Sequence, residues 1–316
     1  MFKPSRSELI LPRNIASLDT LAAPSEQGSP LPQARTVRTV SSVRELVGSW
    51  RSAHQTVALV PTMGNLHPGH LSLAQIAAET VDKVVLSIFV NPAQFGPGED
   101  FAAYPRTFDD DWARVAEAGT VDALFVPEVA EIYPFGADQA VRVAMPPLSR
   151  ELCGASRPGH FDGVATVVCR LLNVVAPDVL VLGQKDYQQF ILMERMAADL
   201  RLPVSVIRCP IQRESDGLAM SSRNRYLTAK QRLRAGALYA TLQHVRSALQ
   251  NGIADYQEIE GQAMSMLAEA GFRPDYVEVR RAADLTKARE NDRPDQLVIL
   301  AAAWLGRARL IDNVLV

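Results

Sequence analysis

Residues 56–80 read TVALVPTMGNLHPGHLSLAQIAAET, and this stretch decides the fold. It opens on an apolar run of strand length. A turn rich in Gly and Pro follows, carrying two histidines three residues apart. It closes on a segment with helical periodicity. A buried strand, a tight turn and a helix in immediate succession form the opening unit of an α/β domain.

The pattern repeats outward from there. KVVLSIFV (83–90) is a second apolar run of strand length, and DDDWARVAEAG (109–119) reads as a helix with acidic residues in its first turn, where they suit the helix dipole. VDALFVP is a strand, GVATVVCRLLNVVAP a helix closed by Pro177, DVLVLGQKD a strand, YQQFILMERMAADL a helix and PVSVIRCP a strand. Strands that are apolar without alternation are buried on both faces. The expectation is a Rossmann-like, doubly wound parallel sheet over residues 36–211. Its first helix should be SSVRELVGSWRSA, capped by Ser41 or Ser42. Residues 212–316 change texture. TAKQRLRAGALYATLQHVRSALQNG reads as one long helix and YQEIEGQAMSMLAEAG as another. Three strand patterns follow them, at 274–282, 296–306 and 308–316, which points to a smaller α+β domain acting as a lid. Residues 1–35, rich in Pro, Ser, Gly and Ala, read as a flexible extension.

Composition narrows the function classes. The chain has 316 residues, is 47% hydrophobic and carries a net charge of -2. That balance gives no nucleic-acid coat and no polybasic membrane surface. No apolar run reaches the ~18 residues of a membrane span. Three scattered cysteines without a CxxC pair argue against a zinc or redox motif. With no secretory signal, the cytoplasm is the expected location.

In an open parallel sheet, ligands bind beyond the carboxyl ends of the strands. Four strands here lead into loops rich in His, Asn, Gln, Lys, Ser and Arg: 61–70, 91–106, 183–189 and 211–225. A turn feeding a helix N-terminus offers free N–H groups to phosphate. His67 and His70 add donors, Lys185 a point charge, and Ser221, Ser222, Arg223 and Arg225 hydroxyls and guanidiniums. No nucleophile with a partnered base is present. The set suits stabilising a polyphosphate during displacement. Two other readings of these residues stand beside that one. Another nucleotidyl-transferring enzyme would release a different nucleotide, and a nucleotide sensor would bind without turnover.

HPGH (67–70) resembles the His-x-x-His signature of the nucleotidylyltransferase superfamily, and MSSRN (220–224) its second, Lys-Met-Ser-Lys-Ser-type signature. With FVNPAQF, YPRT, RPGHFDGVATVV, GQKDYQQ and DGLAMSSRNRYL in order, the chain resembles the pantothenate synthetase (pantoate–β-alanine ligase) family from about Thr36 to the C-terminus. The resemblance implies joining of pantoate to β-alanine through a pantoyl adenylate, with ATP as substrate, Mg2+ as cofactor and a homodimer as the assembly. It assigns ATP to Met63, His67, His70, Gly183, Gln184, Lys185 and Asp186. Gln212, Met220, Ser221, Ser222 and Arg223 belong to the same set. His70 becomes the donor to the phosphates. Gln94 and Gln189 would bind pantoate, with Asn91 nearby and Tyr104 in the loop above. Arg157 and His160 would line the same cavity, and Asp110 and Asp111 would be associated with the metal. Arg114 stands three residues after Asp111, where a cation suits a metal poorly. A metal carried by the ATP phosphates fits better.

Overall fold

The computed structural model describes residues 34–96, 98–99, 101–252 and 255–316. The extension expected over 1–35 therefore lies, up to residue 33, outside the described residues. Arg35 already belongs to the sheet.

The larger unit is a six-stranded sheet in the order β1-β4-β3-β2-β5-β6, parallel throughout. Its strands are β1 (Arg35–Val37), β2 (Val57–Thr62), β3 (Lys83–Ile88), β4 (Ala123–Phe125), β5 (Val179–Gly183) and β6 (Ser205–Cys209). The helices between them are α1 (Val40–Ser52), α2 (Pro68–Thr80), α3 (Phe108–Ala118), the single turns α4 (Val129–Ile132) and α5 (Cys153–Ser156), α6 (His160–Val175) and α7 (Tyr187–Asp199). The unbroken apolar runs follow from double coverage. In β2, Val57 and Leu59 join the core formed with α1, α6 and α7. Ala58 and Val60 join a second core under α2 and α3. Successive side chains of a strand point to opposite faces, so a sheet covered on both sides has no polar positions to spare.

Chain order runs from β2 to β3 to β4 on one side of the sheet. It then crosses to β5 and β6 on the other. Strand order thus reverses between β2 and β5, and a crevice opens at their carboxyl ends. The segments leaving those two strands are the histidine turn and the 184–186 turn.

The smaller unit pairs α8 (Ala229–Ala235), α9 (Ala237–Gln250) and α10 (Tyr256–Glu269) with an antiparallel sheet of β7 (Arg273–Arg281), β8 (Leu297–Leu305) and β9 (Ala308–Leu315). One face of this sheet, with Val277, Ile299 and Ala301, packs under α9 and α10. The opposite face sends Val298 and Leu300 into the core of the larger unit.

Three expectations change. β1 is an additional strand, too short for periodicity to reveal, and it lies along β4 at the sheet edge. The first helix is capped by Thr39 rather than Ser41 or Ser42. Ser42 sits at the third helical position, where its N–H donates to Thr39 Oγ1 at 3.1 Å and its hydroxyl accepts from the Thr39 N–H at 3.3 Å. The single long helix of 228–252 is two, broken at Gly236. A side chain at Gly236 would meet the Asp216 carbonyl at 2.7 Å, so the close approach of that backbone requires glycine.

Candidate active site

The histidine turn is built by the strand before it and the helix after it. β2 ends at Thr62, Gly64 turns the chain at φ +77°, and His67 caps α2, whose first residue is Pro68. Proline at that position costs nothing, because the first N–H groups of a helix have no intrahelical acceptor. The two imidazoles stack with ring centroids 3.9 Å apart. The His67 N–H donates to His70 Nδ1 at 3.4 Å. Nδ1 therefore carries a lone pair, and the His70 proton sits on Nε2. Burial lowers the His70 pKa to about 3, helped by His67 and Lys185. Burial, then Lys185, lowers that of His67 to about 4. Both rings are neutral at pH 7, so each offers one N–H and neither carries a charge. His67 Nδ1 is buried and has no hydrogen-bond partner among the described residues.

Across the crevice, β5 delivers Gly183, then Gln184, Lys185 and Asp186 in a single 3-10 turn leading into α7. Lys185 Nζ lies 3.1 Å from Asp186 Oδ2. Burial opposes the charge on Asp186, but Lys185, together with Arg223 and His160, outweighs it and holds the carboxyl below its usual range. A third segment descends from β6. The Gln212 carbonyl accepts from the Met220 N–H at 2.9 Å, closing the hairpin whose end carries the serines. Ser221 Oγ caps the next turn, Ser222–Tyr226, by accepting from the Arg223 N–H at 3.3 Å. The Met220 Cβ stands close over Gly69, and Arg225 donates to Asn65 Oδ1 at 2.6 Å. The serine–arginine segment and the histidine turn therefore meet.

A cavity of about 720 Å³ opens beside this rim. Of the residues singled out from sequence, Lys185, Asp186, Gln189, Ser221, Arg223, Arg157 and His160 line it. His67 and His70 lie beyond its wall, close enough for Lys185 to depress both imidazoles. Met63 and Gln94 stand together, with Gln94 Nε2 3.2 Å from Met63 Sδ. Asn91 is buried and supports the loop. Its Nδ2 donates to Gln94 Oε1 and to the Gly163 carbonyl, and its Oδ1 accepts from Tyr133 Oη at 2.7 Å. Tyr104 is buried, edge-on to Phe95. Both adjacent glutamines line the cavity, but Gln188 spends its amide on the Leu148 and Glu151 carbonyls.

Arg157 and His160 form one chain. His160 Nδ1 donates to the Gln94 carbonyl at 2.9 Å, so its Nε2 accepts from Arg157 at 2.8 Å. The remaining guanidinium edge grips Glu99, at 3.0 and 2.6 Å. Burial, then Arg157, lowers the His160 pKa to about 4.

The metal expectation does not fit the geometry. Asp110 is exposed on α3. Asp111 is 1% exposed and spends both carboxylate oxygens on backbone, accepting from Asn65 and Leu66 at 2.8 and 2.6 Å. Among the described residues, no group of three or more His, Cys, Asp or Glu side chains could hold a metal ion.

The smaller sheet contributes residues that no motif marked. Asn313 of β9 donates from Nδ2 to the carbonyls of Gln184 and Lys185, at 2.9 and 3.1 Å, and accepts from Gln184 Nε2 at 3.1 Å. Its neighbour Asp312 holds Arg213 through two bonds, at 2.6 and 2.9 Å, and the Arg213 guanidinium carbon sits over the Tyr239 ring, 3.8 Å from its centroid. The last strand thus ties the lysine turn to the hairpin bearing the serines.

A parallel sheet with a switch-point crevice, a helix N-terminus bearing neutral imidazoles, and cationic loops from two further strands define an ATP-handling α/β enzyme of the nucleotidylyltransferase kind. The family model for pantoate-beta-alanine ligase matches residues 35–315, and the chain belongs to that family. Pantothenate synthetase from Alkalilimnicola ehrlichii is 54% identical over 88% of this chain and 96% of its own, and that from Ectopseudomonas mendocina 52% identical over 89% and 98%. The crystal structure of pantothenate synthetase from Thermus thermophilus superposes with a TM-score of 0.82 at 43% identity, covering 89% of this chain and 99% of that one. The pantoate-beta-alanine ligase from Francisella tularensis, complexed with beta-gamma ATP and beta-alanine, follows at TM-score 0.73 and 33% identity, covering 89% and 97%.

Proposed function

We propose that the chain condenses pantoate with β-alanine at the expense of ATP, through a pantoyl adenylate, releasing pyrophosphate and AMP. One observation carries the assignment of roles: three segments from separate strands converge at the β2/β5 crevice. The bond from Arg225 to Asn65 closes the rim.

The chemistry follows from the groups at hand. A pantoate carboxylate oxygen attacks the α-phosphorus, the bond from that phosphorus to the bridging oxygen breaks, and pyrophosphate leaves. Two anions must approach each other, so the site must offset repulsion without a nucleophile of its own. Lys185 and Arg223 supply positive charge. His67 and His70, being neutral, supply N–H donors at no cost in solvating buried charge. The His70 proton on Nε2 faces the role the reaction needs: donation to phosphoryl oxygen as charge builds there. Ser221 and Ser222 add hydroxyl donors. Met63, Gly183, Gln184, Asp186, Gln212 and Met220 frame the nucleotide, with Gln212 acting through its backbone. In the second step the β-alanine amine attacks the acyl carbon, the carbon–oxygen bond to AMP breaks, and the nitrogen gives up a proton. Gln94 and Gln189 hold pantoate, with Asn91 steadying Gln94 from behind, and Arg157 and His160 line the same cavity. Tyr104, buried edge-on to Phe95, helps to keep water from the mixed anhydride.

Mg2+ carried on the triphosphate would offset part of its charge. The described residues form no separate cage for it, and no step above is routed through a protein-held ion. We also place the enzyme in the cytoplasm as a homodimer. Phe135 and Val141, 82% and 84% exposed on the larger unit, are apolar side chains that such a pairing would cover. No helix among the described residues is long and apolar enough to cross a membrane.

A reaction containing ATP, pantoate and β-alanine tests this reading. AMP, pyrophosphate and pantothenate should appear in equal amounts. Release of ADP, or nucleotide binding without turnover, contradicts it.

A further inference from the structure

Asp111 carries the inference. α3 brings it into the larger unit, next to the turn between β2 and α2. Its two carboxylate oxygens accept the N–H groups of Asn65 and Leu66. A carboxylate with both oxygens committed to consecutive backbone donors acts as a template for the turn. It holds Asn65 at φ +52°, in the left-handed region that non-glycine residues seldom occupy. In that conformation the Asn65 side chain, 5% exposed, presents Oδ1 to Arg225 at 2.6 Å across 160 residues of sequence. Arg225 lies in the same short turn as Ser222 and Arg223.

We propose that Asp111, Asn65 and Arg225 are positioning residues in one line, which clamps the serine–arginine segment onto the histidine turn for adenylate formation. Asp111 serves the reaction in this way and not as a ligand of Mg2+. The inference rests on the adenylation reading above and concerns the same site.

Three observations support the line. First, Arg225 crosses from one signature segment to the other, so the bond has no purpose within either alone. Second, its acceptor is an uncharged amide. A guanidinium–amide bond is directional, yet it demands less on separation than a buried ion pair, which suits a seam that opens for product release. Third, Asn65 Nδ2 is buried without a partner among the described residues. An unpaired buried donor destabilises the free form and is relieved when an acceptor arrives. Phosphate oxygens are acceptors, so nucleotide binding would tighten the turn that Asp111 shapes.

The test measures pantoate-dependent exchange of labelled pyrophosphate into ATP across a range of Mg2+ concentrations, with β-alanine absent. Asn65→Ala and Arg225→Ala should each slow exchange about tenfold, and the double variant should be no slower than the slower single one, as expected of two ends of one contact. The apparent KM for ATP should rise while that for β-alanine in the full reaction stays put. Arg225→Lys should recover part of the loss. Asp111→Asn should slow exchange at every Mg2+ concentration without moving the Mg2+ midpoint. Multiplicative losses in the double variant would overturn the line. So would an Asp111→Asn defect that excess Mg2+ repairs, since that is the behaviour of a weakened metal ligand. Should Asp111→Asn fail to fold, the Asn65/Arg225 pair decides alone. The unaltered chain serves as the separate control: absence of pantoate-dependent exchange in it would condemn the adenylation reading itself, whatever the variants do.

Discussion

The two walls of the crevice are made differently. On the parallel-sheet side, each functional turn follows directly from the strand that delivers it. His67 and His70 come after β2 and Lys185 after β5, and both cores under the sheet fix where those strands end. On the other side, the smaller antiparallel sheet reaches in from the end of the chain. Asn313 and Asp312 touch no phosphate in the reading above. They hold the backbone of the lysine turn and the arginine at the base of the serine hairpin. One wall presents the chemistry, and the other keeps its parts in register. Residues that present chemistry should fail in rate, whereas residues that hold register should fail in stability or in affinity.

The largest effect is expected on the holding side. Arg213→Ala would leave Asp312, 3% exposed, without its cation. Breaking a buried pair at one end costs about 3–5 kcal/mol. Denaturant unfolding should show a loss of that size. A loss below about 1 kcal/mol would mean that the pair is no more than a surface contact. Next comes the presenting side. His70→Ala removes the Nε2 donor and should lower adenylate formation about 10²–10³-fold, while the unfolding midpoint barely moves. A change in stability with little change in rate would reverse the contrast. Smaller again is Asn313→Ala, which frees the Gln184 and Lys185 carbonyls. It should weaken ATP binding by about 1–3 kcal/mol, the cost of stranding buried polar groups, with pantoate affinity unchanged by calorimetry. Equal weakening of both ligands would show that β9 does not act through the lysine turn.

The last effect concerns pH. His160 titrates at about 4 in the folded protein against an ordinary value of 6.5, mainly because it is buried. Between those values the unfolded chain binds protons that the folded chain refuses. Stability should therefore fall as pH drops from 6.5 to about 4, then level off in this respect. In His160→Asn the fall in melting temperature over that window should be shallower. An unchanged slope would mean that the imidazole is not held neutral.

Legibility in sequence followed the same division. The strands at 57–62, 83–88 and 179–183 were readable because double burial leaves a continuous apolar run. The turn residues were readable because a strand followed by His-Pro-Gly-His at a helix start has few other uses. β1 was not, since three residues carry no period. The break at Gly236 was not, because the glycine there answers to the Asp216 carbonyl, 20 positions away in sequence and invisible to periodicity. Asp109 to Asp111 looked like one acidic run. Only the fold separates Asp110, turned to solvent, from Asp111, turned onto the Asn65 and Leu66 amides. Asn313 carries no local signal at all, and Arg225 reads only as one more cation of its loop, with no sign of its partner. Each acts on a partner more than a hundred residues away, and such pairings exist only once the strands are assembled.

The central claim is that this rim activates a carboxylate by transferring an adenylyl group to it. Pantoate labelled with oxygen-18 in its carboxylate tests that claim most directly, by mass analysis of the products of one full reaction with ATP and β-alanine. The account requires one labelled oxygen to appear in AMP, because the attacking carboxylate oxygen stays on phosphorus when the amine displaces the nucleotide. Label retained entirely in pantothenate and solvent, or found in inorganic phosphate beside ADP, would contradict it.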